Sequence, residues 1–120
     1  MVLTWLTPAI FAHGLRPVWL GADGRGAPPG CPDVRLALRA AAVDRWVPVS
    51  GWDLASGKPK ATRKAVPAGA VYWFDVVQGD VTQALHALWM AALSDGAEDR
   101  AQGFGAVLPA PWHGEAQRDD

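Results

Sequence analysis

The sequence contains few of the residues on which disulfide frameworks, metal sites and membrane spans depend. Cys31 is the one cysteine among 120 residues, so it has no partner for an internal disulfide, and a reducing setting is expected. The three histidines, His13, His86 and His113, do not have the spacing of metal ligands. No apolar run approaches the length of a membrane span. We therefore expect a cytoplasmic protein without a metal, a cofactor or a membrane partner.

The overall composition is typical of a globular chain. Hydrophobic residues make up 50% and charged residues 19% of the sequence, and the formal net charge is -1. A length of 120 residues has room for one domain with one core. We predict a single domain over residues 1–113, followed by a disordered polar tail over residues 114–120. The chain opens directly in a predicted strand, which suggests a piece of something longer.

The first half of the chain is predicted to form two long strands separated by an irregular segment. Val2–Leu6 contains β-branched and aromatic residues and reads as a first strand. Prolines and glycines recur from residue 8 to residue 32, which excludes a long helix there; a brief strand is predicted at Val18–Leu20, followed by a flexible loop. At the start of Val34–Val43, large apolar residues alternate with arginine or alanine, which favours a strand, although the alanines at residues 40–42 favour a helix.

The second half is predicted to add a hairpin, a central strand and a final strand. Arg45–Val49 continues in extended form into a long hairpin, whose tip is placed at Ser56-Gly57. The apolar density of Ala70–Val77 predicts a strand at the centre of the sheet. Gly103–Leu108 is predicted to be a glycine loop that enters a last strand, which Pro109 and Pro111 end.

One helix is predicted, over Asp80–Ser94. Asp80 is its expected N-cap, and Asp95-Gly96 its stop signal. The residues at helical spacing that are expected in the core are Val81, Ala84, Leu85, Leu88, Trp89 and Ala92. Ala97–Gln102 is predicted to be a polar connector. The order of elements indicates an α+β fold: an antiparallel sheet with one well-defined helix and a long β-hairpin or loop insertion.

The positive charge is concentrated between Asp53 and Asp75. The basic residues of this stretch are Lys58, Lys60, Arg63 and Lys64. A cationic loop between aromatic residues suits an anionic polymer such as RNA, whereas a short basic run taken alone is more often a solvated loop. Trp52, in a Gly-Trp-Asp turn, either stacks on an unpaired base or anchors the hairpin in the core.

Several motifs together resemble one known family. They are Gly51-Trp52-Asp53, Lys58-Pro59-Lys60 with Arg63, Val66-Pro67-Ala68-Gly69, Leu6-Thr7-Pro8-Ala9-Ile10-Phe11 with Gly14 and Pro17, and Gly103-Phe104-Gly105. This set is similar to the RAMP-superfamily subunit that caps the 5′ end of the guide RNA in type III-B (Cmr) CRISPR effector complexes, subunit three of that module. The resemblance runs from about Leu3 to Trp112.

The resemblance implies a fold and a function. The fold is the ferredoxin-like (RRM-related) RAMP domain, βαββαβ, with the first helix replaced by the Pro/Gly-rich stretch. The function is non-catalytic: such a subunit holds the 5′ tag of the crRNA and joins the large polymerase/cyclase-like subunit to the first backbone RAMP subunit. These subunits usually carry two RAMP domains, and this sequence matches the C-terminal one, so an N-terminal RAMP domain is expected to be missing.

The same resemblance implies a second RNA contact. RAMP proteins carry a glycine-rich loop near their C-terminus, where backbone approaches RNA phosphates. Gly103, Phe104 and Gly105 fit that loop, although the bare motif indicates a tight turn and lacks the context of a dinucleotide fingerprint. The predicted RNA-binding residues are therefore Trp52, Lys58, Lys60, Arg63, Lys64, Gly103, Phe104 and Gly105.

Three alternatives stay open at this point. Some RAMP relatives cleave RNA with a histidine that acts on the 2′-hydroxyl, and His13 lies in an early loop that suits such a residue. A RAMP subunit of another type III subtype would share the Pro-Ala-Gly pattern. A tryptophan-rich binding module, for example for carbohydrate, would bind its ligand without a steep dependence on salt.

Overall fold

The computed structural model describes residues 1–12, 16–49, 52–53, 58–59 and 63–111. These residues form an α+β structure, as predicted, with two helices. The strands are β1 Val2–Trp5, β2 Arg25–Gly26, β3 Arg35–Ala42, β4 Val47–Val49, β5 Trp52–Asp53, β6 Lys58–Pro59, β7 Arg63–Ala65, β8 Val71–Gln78 and β9 Val107–Ala110. The helices are α1 Val81–Leu88 and α2 Ala97–Ala101. Neither of these helices has the length and hydrophobicity needed to cross a membrane.

The main sheet has five strands in the order β2-β3-β8-β1-β9, and neighbouring strands are antiparallel. Strand β8 lies in the middle, which confirms the prediction for Ala70–Val77. Its apolar residues alternate, so Tyr72 and Phe74 lie on one face and are fully buried. The strands predicted at Val2–Leu6 and Val34–Val43 are also confirmed, as β1 and β3.

The core lies on the sheet face that α1 and the segment after β1 cover. Trp5 is at its centre, with ring centroids 5.5 Å from Phe11 and 5.3 Å from Tyr72, both in edge-to-face geometry. Ala84 and Leu88 are the buried residues of α1. Each large side chain buried here contributes about 1.5–3 kcal/mol relative to its exposure to water. The core therefore fixes the segment after β1 against the sheet.

Helix α1 begins as predicted and ends earlier than predicted. The amide of Thr82 donates to Asp80 Oδ1 at 3.2 Å, which confirms the N-cap. The helix ends at Leu88, and Met90 has a left-handed backbone with φ 57°. Residues 90–92 instead run beside β9, since the Met90 amide donates to the Val107 carbonyl at 2.8 Å. The prediction that Trp89 is a core residue is wrong: it is 60% exposed.

The early irregular segment contains a strand at a different place from the one predicted. The prediction of a brief strand at Val18–Leu20 is wrong, because these residues form a turn. The strand is β2, in which Arg25 pairs with Ala37 of β3. Gly26 is buried, and a Cβ atom on it would collide with the carbonyl oxygen of Trp19, so the turn packs directly on this glycine. No helix occurs in the described part of residues 8–32, as predicted.

Two predictions near the C-terminus are also corrected. Ala97–Ala101 forms the short helix α2 rather than a polar connector, so the described chain has two helices and not one. Pro109 lies inside β9, opposite Leu3, and does not end the strand, which ends at Ala110, directly before Pro111. A proline is accommodated there because β9 is an edge strand whose ladder partner is β1.

The predicted hairpin is confirmed and forms what we call the β-arm, strands β4 to β7. Val47 pairs with Ala65 and Val49 with Arg63, and farther out Trp52 pairs with Pro59. Its predicted tip, Ser56-Gly57, lies outside the described residues. So do Lys60, His13 and residues 112–120, which include the predicted tail, and only the backbone is described for Trp52 and Lys58.

Candidate nucleic-acid interface

A cleft of ≈ 800 Å³ lies where the base of the β-arm meets the early loop and the start of α2. Its lining residues are Ile10, Phe11, Ala12, Trp46, Arg63, Lys64, Asp95, Gly96 and Asp99. Two predicted RNA-binding residues, Arg63 and Lys64, therefore share this surface. Trp46 was not singled out by the sequence, because a tryptophan before a short strand carries no sign of exposure.

Arg63 makes a two-point ion pair across the cleft. Its Nη1 and Nη2 atoms donate to Asp99 Oδ2 and Oδ1 at 2.9 and 2.8 Å. The Asp99 side chain is 10% exposed, whereas that of Arg63 is 43% exposed. The hydrogen bonds to Asp99 are the main cause that raises the pKa of Arg63 above its usual range. Arg63 thus ties the β-arm to α2, and its contact with phosphate stays a prediction.

Lys64 is exposed and pairs with Pro48 in the β-arm ladder. No described acidic residue lies within ion-pair distance of it. Of the two basic residues that line the cleft, Lys64 is accordingly the one whose ammonium group is not held by a described carboxylate. This exposed cation fits the phosphate contact predicted for it.

Asp95 holds both flanks of the early loop. Its Oδ2 accepts a hydrogen bond from the Ala12 amide at 2.7 Å, and its Oδ1 accepts one from the Val18 amide at 2.8 Å. Its own amide donates to the Ile10 carbonyl at 3.0 Å. One carboxylate thereby connects described residues on the two sides of the stretch 13–15, which lies outside the described residues. The sequence predicted Asp95 only as a helix stop.

The Gly103–Gly105 loop lies apart from the cleft lining and is tied to the protein by its own amides. The Gly103, Phe104 and Gly105 amides donate to the carbonyls of Arg100, Asp99 and Pro8 at 3.0, 3.0 and 2.7 Å. These three amides are therefore engaged within the chain. A phosphate would meet other atoms of the loop, or would have to displace one of these hydrogen bonds.

The two glycines of this loop differ in their surroundings. Both have left-handed backbones, with φ +87° at Gly103 and φ +82° at Gly105. A Cβ on Gly105 would lie 2.7 Å from Ser94 Oγ, whereas a Cβ on Gly103 would meet open space. Gly105 is therefore needed for packing, and Gly103 is the glycine at which another molecule has room to approach.

A second pair of hydrogen bonds joins the loop to the start of the chain. Thr7 Oγ1 donates to the Gly103 carbonyl at 2.6 Å and accepts from the Ala106 amide at 2.9 Å. The structure thus brings together two motifs that are about a hundred residues apart in sequence, with separations of 96 and 99 residues for these bonds. The predicted contacts at Trp52 and Lys58 belong to the outer β-arm, whose side chains lie outside the described atoms.

The described residues contain no group of three or more His, Cys, Asp or Glu side chains that is placed to bind a metal ion. Cys31 is buried. Burial, and secondarily the charge of Asp33, raises the pKa of the Cys31 thiol, so it is a poor nucleophile. The cleft thus presents two cations, Arg63 and Lys64, a tryptophan, and two carboxylates that are engaged by partners within the chain.

The molecule is an α+β domain with an antiparallel sheet and a basic β-arm that borders a cleft. In a comparison with protein-family models, residues 1–112 match the family described as CRISPR-associated protein (Cas_Cmr3). The chain therefore belongs to this family of CRISPR-associated RAMP subunits of type III-B, which confirms the resemblance seen in the sequence. Neither the curated proteins nor the solved structures that were compared with the chain gave a match.

Proposed function

We propose that this chain is a non-catalytic, guide-RNA-binding subunit of a type III-B CRISPR ribonucleoprotein that works in the cytoplasm in antiviral defence. It binds the 5′ tag of the crRNA and bridges the large polymerase/cyclase-like subunit and the first backbone RAMP subunit. The observation that carries this proposal is the position of Lys64 and the basic β-arm beside the cleft, in a chain of this family.

The order of strands supports a ferredoxin-like fold for this subunit. With β1, β3, β8 and β9 taken as strands one to four, the sheet has the order four-one-three-two, and the neighbours are antiparallel. The connection from β1 to β3 passes over β8, and the connection from β8 to β9, with α1 and α2, passes over β1. Two interleaved crossovers of this kind characterise the split βαβ arrangement. The first crossover has no helix among its described residues.

The state of the carboxylates in the cleft supports binding over acid–base catalysis. Asp99 is paired with Arg63, and Asp95 accepts hydrogen bonds from two backbone amides. Both groups are thus engaged in holding the structure. Contacts between basic side chains and phosphates would set affinity and salt dependence, and they require no bond-breaking.

Guide-RNA binding measured as a function of salt tests the proposal. The complex is assembled with the wild-type chain or with a Lys58/Lys60/Arg63/Lys64 quadruple alanine variant. We expect the variant to lose affinity and part of the salt slope, because the slope falls by about one for each phosphate that is no longer neutralised. An Arg25/Arg35 double alanine variant, which removes exposed cations from β2 and β3, is the control. Identical binding by wild type and quadruple variant would refute the proposal for the β-arm.

One observation favours a second candidate function, RNA cleavage with His13. Asp95 accepts hydrogen bonds from the amides of Ala12 and Val18, which lie on either side of His13 in the sequence, whereas His13 itself lies outside the described residues. Replacement of His13 with alanine, followed by an assay of repeat-RNA cleavage, separates the two functions. If the wild-type chain cleaves no repeat RNA, or the variant cleaves it equally well, this candidate is rejected.

A further inference from the structure

Trp46 is unusual among the large apolar residues that line the cleft. It is 37% exposed, whereas Ile10 and Phe11 are each 5% exposed. It also lies outside the hydrophobic core cluster and outside the set of partly buried residues packed against that cluster. An aromatic ring that borders a cleft without being part of the core is available to a ligand.

The position of Trp46 is set by the ladder of the β-arm. Trp46 directly precedes β4, in which Val47 pairs with Ala65 and Pro48 pairs with Lys64. Trp46 lies two residues before Pro48, so by strand alternation it shares a face of the β-arm with Lys64, and both residues line the cleft. A flat apolar surface next to a cation matches a nucleotide, which has a base with two π-faces and an anionic phosphate.

The opposite walls of the cleft are held by polar contacts. The ion pair between Arg63 and Asp99 connects the β-arm to α2, and the carboxylate of Asp95 is bound to the Ala12 amide. The acid groups are thus engaged by partners on the protein. The volume of ≈ 800 Å³ lies within the range of small-molecule sites, about 300–1,000 Å³, and has room for one base with its ribose.

We infer that this cleft is a subsite for one unpaired nucleotide of the guide RNA, whose base stacks on Trp46 and whose phosphate is bound by Lys64. The inference rests on the proposed function and adds to it a residue and a defined ligand. Stacking tolerates any base, so the subsite contributes affinity and register rather than sequence choice.

Fluorescence of single 2-aminopurine substitutions in the guide RNA tests the subsite. Each position of the 5′ tag is substituted in turn, and the complex is assembled with the wild-type chain, Trp46→Ala, Trp46→Phe or Trp89→Ala. Trp89 is the matched control, since it is an exposed tryptophan at the end of α1 that does not line the cleft. We expect one position to be quenched in the wild type, in Trp46→Phe and in Trp89→Ala, and to become bright in Trp46→Ala.

Affinity and its salt dependence give a second measurement. Trp46→Ala is expected to weaken RNA binding about tenfold to a hundredfold at every salt concentration, with an unchanged salt slope, because stacking releases no counterions. Lys64→Ala is expected to lower the slope by about one. Thermal melting of each variant shows whether it is folded. Trp46→Phe keeps an aromatic ring at the site and should therefore retain most of the affinity.

The outcomes separate the subsite from the proposed function. If wild type and Trp46→Ala bind RNA equally and no tag position changes its fluorescence, the subsite is rejected and the proposed function stands. If the wild-type chain binds no guide RNA at low salt, the proposed function fails and the subsite fails with it. If Trp46→Ala and Trp89→Ala weaken binding equally, or Trp46→Ala loses a protein subunit in the absence of RNA, the subsite is also rejected.

Discussion

Arg63 of β7 and Asp99 of α2 form two parallel hydrogen bonds, of 2.9 and 2.8 Å, between the β-arm and the helical side of the domain. Arg63→Ala is expected to lower the free energy of unfolding by about 1–3 kcal/mol, because the nearly buried carboxylate of Asp99 loses its partner. Urea denaturation measures this loss. In the double variant Arg63→Ala/Asp99→Ala, the loss should be smaller than the sum of the two single losses. Additive losses would show that the pair is not coupled.

The hydrogen bonds of Asp95 predict a local change in amide exchange. Asp95→Ala should speed hydrogen exchange at Ala12 and Val18, whose amides donate to the carboxylate. The control is Asp23→Ala, since Asp23 accepts a hydrogen bond from the Arg25 amide within its own turn. That variant should change exchange at Arg25 alone. Unchanged exchange at Ala12 and Val18 in Asp95→Ala would contradict the assignment.

The two glycines of the Gly103–Gly105 loop predict different effects of alanine. Gly105→Ala should destabilise the protein by about 2–4 kcal/mol, because strain at positive φ is added to a collision with Ser94. Gly103→Ala faces open space and should cost about 1–2 kcal/mol from its positive φ alone. Thermal or urea unfolding measures the stability of the two variants relative to the wild type. Equal destabilisation would mean that contact with Ser94 is relieved by a small shift of the loop.

Gly103 also has a predicted role in RNA binding. If RNA approaches the backbone at Gly103, the folded Gly103→Ala variant should bind guide RNA more weakly than the wild type, since the added methyl group stands where the RNA backbone would pass. Binding at a fixed moderate salt concentration measures this. Wild-type affinity in Gly103→Ala would remove Gly103 from the RNA contacts.

Because Tyr72 is buried, we expect the free energy of unfolding to fall at alkaline pH. Burial raises the pKa of the Tyr72 phenol above its ordinary value of 10.0, so the folded state favours the protonated form. This contribution to stability is fully present below pH 10 and is lost as pH rises through the folded-state pKa. Urea unfolding from about pH 8 to about pH 11 should show the onset of this decline. The decline should be shallower in Tyr72→Phe, and equal slopes would contradict the assignment.

The strands that make up most of the sheet were predictable because their residues carry the signal locally. β8 is dense in β-branched and aromatic residues, and β1 ends at a proline-containing turn. The N-cap at Asp80 is likewise a short-range feature. The pairing of the β-arm followed from a run bounded by turn residues.

The errors arose where distant segments decide the structure. Residues 90–92 leave the helical pattern because they pair with β9, so Trp89 is exposed although it lies on the apolar stripe. Gly26 lies in β2, and the carbonyl of Trp19 packs directly against this glycine, a contact that the local sequence does not reveal.

Two of the predicted RNA-binding residues line the cleft, their contact with RNA stays a prediction, and the contacts within the cleft were not predicted. The basic run indicated the β-arm, and Arg63 and Lys64 do line the cleft. The pairing of Arg63 with Asp99 joins residues 36 positions apart, and neither residue type reveals its partner in the sequence. The exposure of Trp46 likewise depends on the surrounding fold.

The two edges of the main sheet limit how this subunit can be joined to others. On one side, residues 90–92 lie along the start of β9, and Pro109 has no amide hydrogen to offer a further strand. On the other side, the two-residue strand β2 pairs with Leu36 and Ala37 only, so Arg39–Ala42 of β3 have no strand partner on that side among the described residues. The β9 edge therefore offers little template for a further strand, and an added strand would find its open backbone groups along β3.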